Sequence, residues 1–509
     1  MTLEQWFIFF LAVQVIHFAG TWKLYHIAGR KPWEAAVPIY NAVILMRIIN
    51  RPWWWVILLF IPIVNLIMFP VVWVETLRSF GRTSTTDTLL GIFTLGFYIY
   101  YINYTQKVNY RPERDLKPTG KGGDFVSSVL FAVVVATIVH TYVMQPFQIP
   151  TSSLEKTLMV GDFLFVSKFH YGARTPMTTI AAPMVHDTIP VIHTRSYSKW
   201  PQLPYFRLPG LEKVKKNDIV VFNWPADTVT KFFDRSAVGL RKPIDKKSNY
   251  VKRCVGTPGD MLSIKDGYVY INGKMLKLSE RARPQYSYSV ITDGSSMNPD
   301  YLRKNLDITD PFGQVSATEY RFASLTAENA EILKKSPGVV SVTRLVVDQP
   351  DNSVFPYTKN WNADNMGPFL IPGKGATIPL TLESLPLYKK IIREYEHNEL
   401  DVTNGQILIN GKPATSYTFR QDYYWMMGDN RHRSEDSRFW GFVPEDHIVG
   451  KPVFVWLSYD NVNGRIRWER MFTTVGGDGE PVSYLKTVLA IIAALLIFDY
   501  FRKKKKKTA

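Results

Sequence analysis

A single cysteine, Cys254, occurs among the 509 residues, so no disulfide can form within the chain and no Cys/His set has the spacing of a zinc site. The lone thiol leaves the redox compartment open, because an oxidising location permits disulfides without requiring them. Acidic residues are also in deficit: 44 Asp and Glu stand against 61 Lys and Arg, a formal charge of +17. Such an excess fits either nucleic acid or a membrane surface. Here the bases lie beside apolar stretches and in a C-terminal run from Arg502 to Lys507, which favours membrane lipids and argues against DNA or RNA as partners.

Apolar sequence is abundant. Hydrophobic residues make up 46% of the chain, enough for a large folded domain and several membrane crossings. Runs near Trp6–Trp22, Trp53–Val74, Leu89–Tyr104, Phe125–Val143 and Tyr484–Phe501 approach the ~20 residues that a helix needs to span a bilayer, and we read them as five spans. The first has no basic segment before it and no small-residue cleavage site, so it is expected to be retained rather than removed. In the last, Lys486 and Asp499 flank an apolar centre, Thr487–Phe498, and the alternative to spanning is a surface-lying tail. Lys and Arg number five in the first loop (Lys23, Arg30, Lys31, Arg47, Arg51), two in the second (Arg78, Arg82) and five in the third (Lys107, Arg111, Arg114, Lys117, Lys121). Basic loops stay in the cytoplasm. The alternation therefore places the N-terminus outside, Gln145–Pro481 outside, and the basic tail inside.

From Pro146 the pattern changes to short β-branched and aromatic runs, such as Phe163–Val166 and Ile219–Phe222, punctuated by Gly, Pro, Asn and Asp, which predicts a mostly β domain. Two similar phrases, Asp266–Lys274 and Asn404–Lys412, each lead from an Asp-Gly or Asn-Gly turn through a strand to Asn-Gly, a strong hairpin signal. Two copies are too few for a solenoid. Between them, roughly Leu278–Asp401, a more polar stretch with a helix near Glu383–His397 reads as an inserted α+β subdomain.

Shortly after the fourth span comes Pro146-Phe-Gln-Ile-Pro-Thr-Ser-Ser-Leu-Glu-Lys-Thr-Leu-Met-Val-Gly-Asp162. At about 3.3 Å per residue, Ser153 lies within ~26 Å of the end of that span. Alone it is a weak signal, since serines beside prolines usually end strands or form turns. Lys252 alone reads as an ordinary solvated lysine beside Arg253. His140, His170 and His432 invite a serine–histidine triad, but no third group is positioned by sequence, and structural roles suit them better.

Taken together, three segments resemble the boxes of bacterial type I signal peptidases. The segment around Ser153 is similar to their serine box, Tyr250–Asp260 to their lysine box, and Gly428-Asp-Asn-Arg-His-Arg-Ser-Glu-Asp-Ser-Arg-Phe-Trp-Gly-Phe-Val-Pro444 to their C-terminal box. The resemblance covers about 145–169, 218–274 and 404–457; it does not reach the N-terminal spans or the inserted stretch. It implies Ser153 as nucleophile and Lys252 as base, with Thr151 and the backbone N–H of Ser153 as the oxyanion hole. It further implies Ser434 as the serine that orients the lysine, and Asp436 with Arg438 as a supporting ion pair. Two departures stand out: Leu154 where the family usually has methionine, and Glu155-Lys156 in place of a pair that typically ends in proline.

The chemistry agrees with these roles. A serine hydroxyl becomes a useful nucleophile when a base takes its proton, and a lysine can do so only when neutral. Lys252 must therefore be desolvated enough to lower its pKa from ~10.4. Strand alternation puts Lys252 and Cys254 on one face and Val251, Arg253 and Val255 on the other.

The resemblance implies an endopeptidase of the cytoplasmic membrane, acting on its outer side, that removes signal peptides from secretory preproteins with small residues at −1 and −3, without metal or cofactor. The alternatives are a narrower serine–lysine peptidase of the pilin-maturation type, or an inactive membrane scaffold of the same fold. The expected organisation is an N-terminal membrane domain of three spans (1–123), a transmembrane anchor (124–145), a signal-peptidase-like β catalytic domain in two parts (146–277 and 404–481), an inserted subdomain (278–403), and a C-terminal span with its basic tail (482–509).

Overall fold

The computed structural model describes residues 1–117, 120–227, 241–461 and 463–508. They form two units whose chain segments interleave: Met1–Val143, Arg174–Leu208 and Arg241–Lys247 in the first, and Met144–Ala173, Pro209–Leu240 and Ser248–Ala509 in the second.

The first unit opens with α1 (Leu3–Ile27), started by a capping box between Thr2 and Gln5, and ends with α7 (Gly120–Ile138). Among the described residues, these two, with α7 extended to Val143, are the helices long and apolar enough to cross a membrane. Between them lie α2 (Tyr40–Ile48), α3 (Trp55–Leu58), α4 (Asn65–Ser79), α5 (Thr85–Phe93) and α6 (Tyr98–Thr105). The second and third apolar runs are thus broken, unlike the continuous spans that the sequence suggests. The first break falls at Pro62, which has no N–H to continue a helix, and at Ile63, whose φ is 70°. The other falls at Leu95 and Gly96, with φ of 53° and 85°; a side chain on Gly96 would collide with the Trp73 ring.

One carboxylate organises an end of this unit. Glu75, buried near the end of α4, pairs with Arg51 at 3.0 Å, with Arg78 at 3.6 Å and with Arg114. Those arginines come from the three loops that the charge count distributes over both sides, and they meet at one place. The start of α4 faces the other way: Val64 and Met68 share a core with Val134 of α7, and Ile63 packs with Ala181 and Tyr197. The latter two belong to a ribbon, Arg174–Leu208, closed by bridges such as Thr178↔Gln202 and Ala181↔Tyr197. The ribbon also receives the indole N–H of Trp6 on the Gln202 carbonyl at 2.9 Å. Through these contacts residues 174–208 belong to the first unit.

In the second unit, an antiparallel sheet runs in the order β1 (Met144–Gln148), β2 (Asp162–Ser167), β20 (Ile448–Asp460), β3 (Ile219–Asn223), β4 (Asn249–Gly256), β18 (Tyr423–Met427), β19 (Val443–Pro444). A second sheet has the order β12 (Met366–Leu370), β5 (Met261–Lys265), β6 (Tyr268–Ile271), β7 (Lys274–Met275). Both repeated phrases fold as read: Asp266-Gly267 and Asn272-Gly273 turn the chain between β5, β6 and β7, with all four φ positive. Asn404-Gly405 and Asn410-Gly411 do the same between β14 (Leu400–Thr403), β15 (Gln406–Ile409) and β16 (Lys412–Pro413). A short pair, β13 (Thr377–Pro379) with β17 (Ser416–Thr418), completes this region.

The expected inserted subdomain divides in two. Its first part is a four-stranded sheet, β11 (Val339–Arg344), β8 (Gln285–Thr292), β10 (Glu319–Thr326), β9 (Phe312–Gln314), with helices α8 (Pro299–Lys304) and α9 (Ala327–Lys334) and its own core of Tyr288, Val290, Phe322 and Leu333. The remainder packs into the core of the second sheet, where Phe369 lies 4.7 Å from Trp425 between ring centroids. There the helix expected near Glu383–His397 appears as α10 (Leu385–Lys390), prolonged by a π-turn to Tyr395. After α11 (Ser437–Trp440) and β20, the chain ends in α12 (Leu485–Thr508). Its unbroken apolar stretch, Thr487–Phe498, is about 18 Å long at 1.5 Å per residue, short of the ~30 Å hydrocarbon core.

Candidate active site

Lys252 sits in β4 opposite Val220 of β3. Alternation puts it on the face of Tyr250 and Cys254, and that face packs with Val220, Phe222, Met426 and Trp440 in one apolar core. The opposite face is buried as well, with Arg253 and Val255 on it. Lys252 is 3% exposed, its ammonium 5.1 Å from the centre of the Tyr250 ring. Burial pulls its pKa down to about 8, against the nearby charges of Asp436, Glu435 and Asp429, which favour the protonated form.

Ser153 lies in a short 3₁₀ turn, Ser152–Leu154, between β1 and β2, and is 7% exposed. The Lys252 Nζ donates to its Oγ at 2.7 Å and to the Val251 carbonyl at 3.1 Å. Residues 99 apart in the chain thus share one buried hydrogen bond. The histidines are engaged elsewhere: His170 with Ser167 at 2.6 Å, and His432 with the Ser287 N–H at 3.0 Å and with Asp364 at 2.9 Å. His140 lies in the π-turn that follows α7.

Thr151 precedes the turn in extended conformation, half-buried, its side chain making no capping hydrogen bond. The N–H of Ser153 falls in the first turn, where a helical amide lacks an internal acceptor. Ser434 lies near the Ser153 turn without a hydrogen bond to Lys252; a side chain on Gly428 would collide with the Ser434 hydroxyl and the Ser153 carbonyl. Gly428 is therefore the spacer between the C-terminal box and the Ser153 turn. Gly428→Ala is expected to push the turn aside and lower kcat about a hundredfold, since displacements near 1 Å can cost that much; cleavage kinetics alongside thermal melting would check it.

Asp436 and Arg438 form a fully buried bidentate pair, Nε to Oδ1 and Nη2 to Oδ2 both at 2.9 Å. Burial alone would raise the Asp436 carboxyl, but the Arg438 guanidinium outweighs it and holds the group below the usual range. Asp436 also accepts the Gly428 N–H at 3.0 Å, which ties the pair to the spacer.

Sequence reasoning missed a second pair. Arg253 reaches Asp429 through Nε to Oδ1 at 2.8 Å and Nη2 to Oδ2 at 2.6 Å, both residues buried. Again burial works to raise the Asp429 carboxyl and the neighbouring Arg253 holds it low. Asn430 was missed too: its N–H donates to the Ser153 carbonyl at 3.1 Å and its Nδ2 to the Ser152 carbonyl at 3.1 Å. The available signal was adjacency, since Arg253 follows Lys252 and Asp429-Asn430 follows Gly428. No group of His, Cys, Asp and Glu among the described residues has the arrangement of a metal site.

Comparison with known proteins bears on the family. The model of the family described as signal peptidase, peptidase S26, matches residues 123–327 and 389–457, more than half of the chain. A family of unknown function (DUF5684) matches residues 33–112. Among curated proteins, signal peptidase I of Haemophilus influenzae is 25% identical over 373 residues, covering 71% of this chain and 78% of that one. Signal peptidase I of Helicobacter pylori is 25% identical over 366 residues, covering 69% and 93%. Signal peptidase I of Pseudomonas aeruginosa is 24% identical over 343 residues, covering 65% and 70%.

Proposed function

Since the chain belongs to the signal peptidase family, peptidase S26, we propose that it is a serine endopeptidase that removes signal peptides from secretory preproteins with a Ser153/Lys252 dyad. The observation that carries the mechanism is the 2.7 Å contact between the two side chains in an apolar, water-poor setting. Neutral Lys252 takes the Ser153 proton as Oγ attacks the scissile carbonyl; the protonated amine then gives that proton to the leaving nitrogen. Water, deprotonated by Lys252 in turn, hydrolyses the acyl-enzyme. Thr151 Oγ and the Ser153 N–H are the donors for the developing oxyanion. Small residues at −1 and −3 are the expected preference.

Incubation of the full-length protein with a preprotein, followed by sequencing of the new N-terminus, is expected to give a cut after a small residue. Several unrelated preproteins should be processed; cleavage confined to one, such as a pilin precursor, would favour the narrower peptidase. Absence of turnover would favour the scaffold.

The membrane arrangement is part of the reading. We take α1 and α7 as full crossings, with the N-terminus and the second unit outside. The runs between them become two re-entrant hairpins, α3 with α4 and α5 with α6. This reading is supported by the breaks at Pro62 and Gly96, and by the three arginines on Glu75. It places all three basic loops in the cytoplasm, including Arg78 and Arg82, which strict alternation would put outside. Single cysteines in a Cys254→Ala background test it: Thr83→Cys and Lys117→Cys should label from the cytoplasmic side and Asn360→Cys from the outside. Labelling of Thr83→Cys from outside would restore five alternating spans.

A further inference from the structure

The residues that follow the nucleophile are held in an unusual way. Lys156 has a φ of 71°, a left-handed conformation that costs a residue with a side chain and persists where its surroundings impose it. Its side chain is mostly covered, and its ammonium donates to the carboxylate of the more exposed Asp307 at 2.6 Å and to the Asp307 carbonyl. Asp307 belongs to the first part of the inserted region, in the link between α8 and β9. Along this link the side chains alternate. Leu306 and Ile308 enter the subdomain's own core, while Asp307 and Thr309 turn to the serine segment, Thr309 Oγ1 donating to Glu155 at 3.4 Å.

Further bonds come from the same subdomain. Asp310 accepts Asn430 Nδ2 at 2.6 Å, and Ser324 donates to Asn430 Oδ1 at 2.7 Å. Asn430 is the residue that grips the Ser152 and Ser153 carbonyls. Gln285, the first residue of β8, donates its Nε2 to the Glu155 carbonyl at 2.9 Å and its N–H to the Asp429 carbonyl at 2.8 Å. The subdomain thus holds the nucleophile turn from both sides, through Lys156 after it and through Asn430 beneath it.

We propose that the subdomain spanning residues 285–344 is a clamp that sets the position of the nucleophile, with Asp307 as the positioning residue that holds Lys156 in its left-handed conformation. The proposal rests on Ser153 being the nucleophile. Asp307 touches no reacting atom; it acts through the backbone course of residues 153–156.

The test uses the full-length protein and a preprotein substrate, with kcat, KM, the pH profile and thermal melting measured for each variant. Asp307→Asn should lower kcat at least about tenfold, leaving KM within about threefold and the pH midpoint where it is in the native protein. Lys156→Gly, which adopts positive φ without strain, should stay within about threefold of native kcat. The double variant Asp307→Asn/Lys156→Gly should match Lys156→Gly alone. Lys156→Pro should lose at least as much as Asp307→Asn, because the ring fixes φ near −65°. Failure of glycine to rescue, or a rate loss that merely follows the fraction unfolded, would overturn the clamp. Should Asp307→Asn fail to fold, a loss of tenfold or more in folded Lys156→Gly would overturn it equally. Ser153→Ala separates the two readings: if it still cleaves, the nucleophile assignment falls; if it is inactive while Asp307→Asn is normal, only the clamp falls.

Discussion

Lys252→Arg is expected to abolish cleavage while leaving the protein folded. Charge is retained, but a guanidinium does not lose its proton in a protein, so the Ser153 hydroxyl has no base. Ser153→Ala and Lys252→Ala should each be as damaging, and the double variant hardly worse than either, because groups that act as one unit are not additive. The native pH profile carries the same information. With the Lys252 pKa at about 8, activity should fall as pH drops through that value and the amine takes up a proton. A Lys252→Arg enzyme that cleaves at near-native rate would end the dyad mechanism, and His170, already bonded to Ser167, would be the first group to examine.

Asp436→Ala should destabilise the protein by about 3–5 kcal/mol, the usual cost of leaving one member of a buried ion pair without its partner. Arg438 would keep its charge in a site with no exposure to solvent, and the Gly428 N–H would lose its acceptor. Both thermal stability and activity are expected to drop. Because Arg438 depresses the Asp436 carboxyl, the native pair's contribution is fully present above the ~3.9 of a free aspartate and is lost as pH falls below it. A variant with native melting behaviour and no turnover would instead assign Asp436 a direct part in the chemistry.

What could be read in the sequence was local or motif-bound. The Asn-Gly turns are decided by the residues that form them, and both meanders appear where the phrases predict. Ser153 and Lys252 came from box resemblance, and the structure supplies what spacing could not, namely that the Lys252 ammonium is buried against the Ser153 hydroxyl. The partners of Arg253 and Lys156 were illegible because an ion pair between residues 176 or 151 positions apart leaves no trace in either neighbourhood. The three arginines on Glu75 escaped for the same reason. A charge count treats each loop as independent, and one buried acid correlates them. The breaks within the second and third apolar runs had a visible cue in Pro62 and Gly96, which hydropathy outweighed.

The ribbon at residues 174–208 constrains the order in which the newly made chain can mature. The helical unit is not closed until residue 247 has been synthesised, and by then β1, β2 and β3 have already been made. Those strands must wait in turn, since β2 and β3 both pair with β20, which is made more than 200 residues later. Neither unit finishes before the other has begun. A fragment ending at residue 143 lacks the ribbon that packs on Ile63, and one beginning at residue 144 leaves Ala181 and Tyr197 without that partner. A cut between residues 143 and 144 would therefore pass through the fold of the first unit.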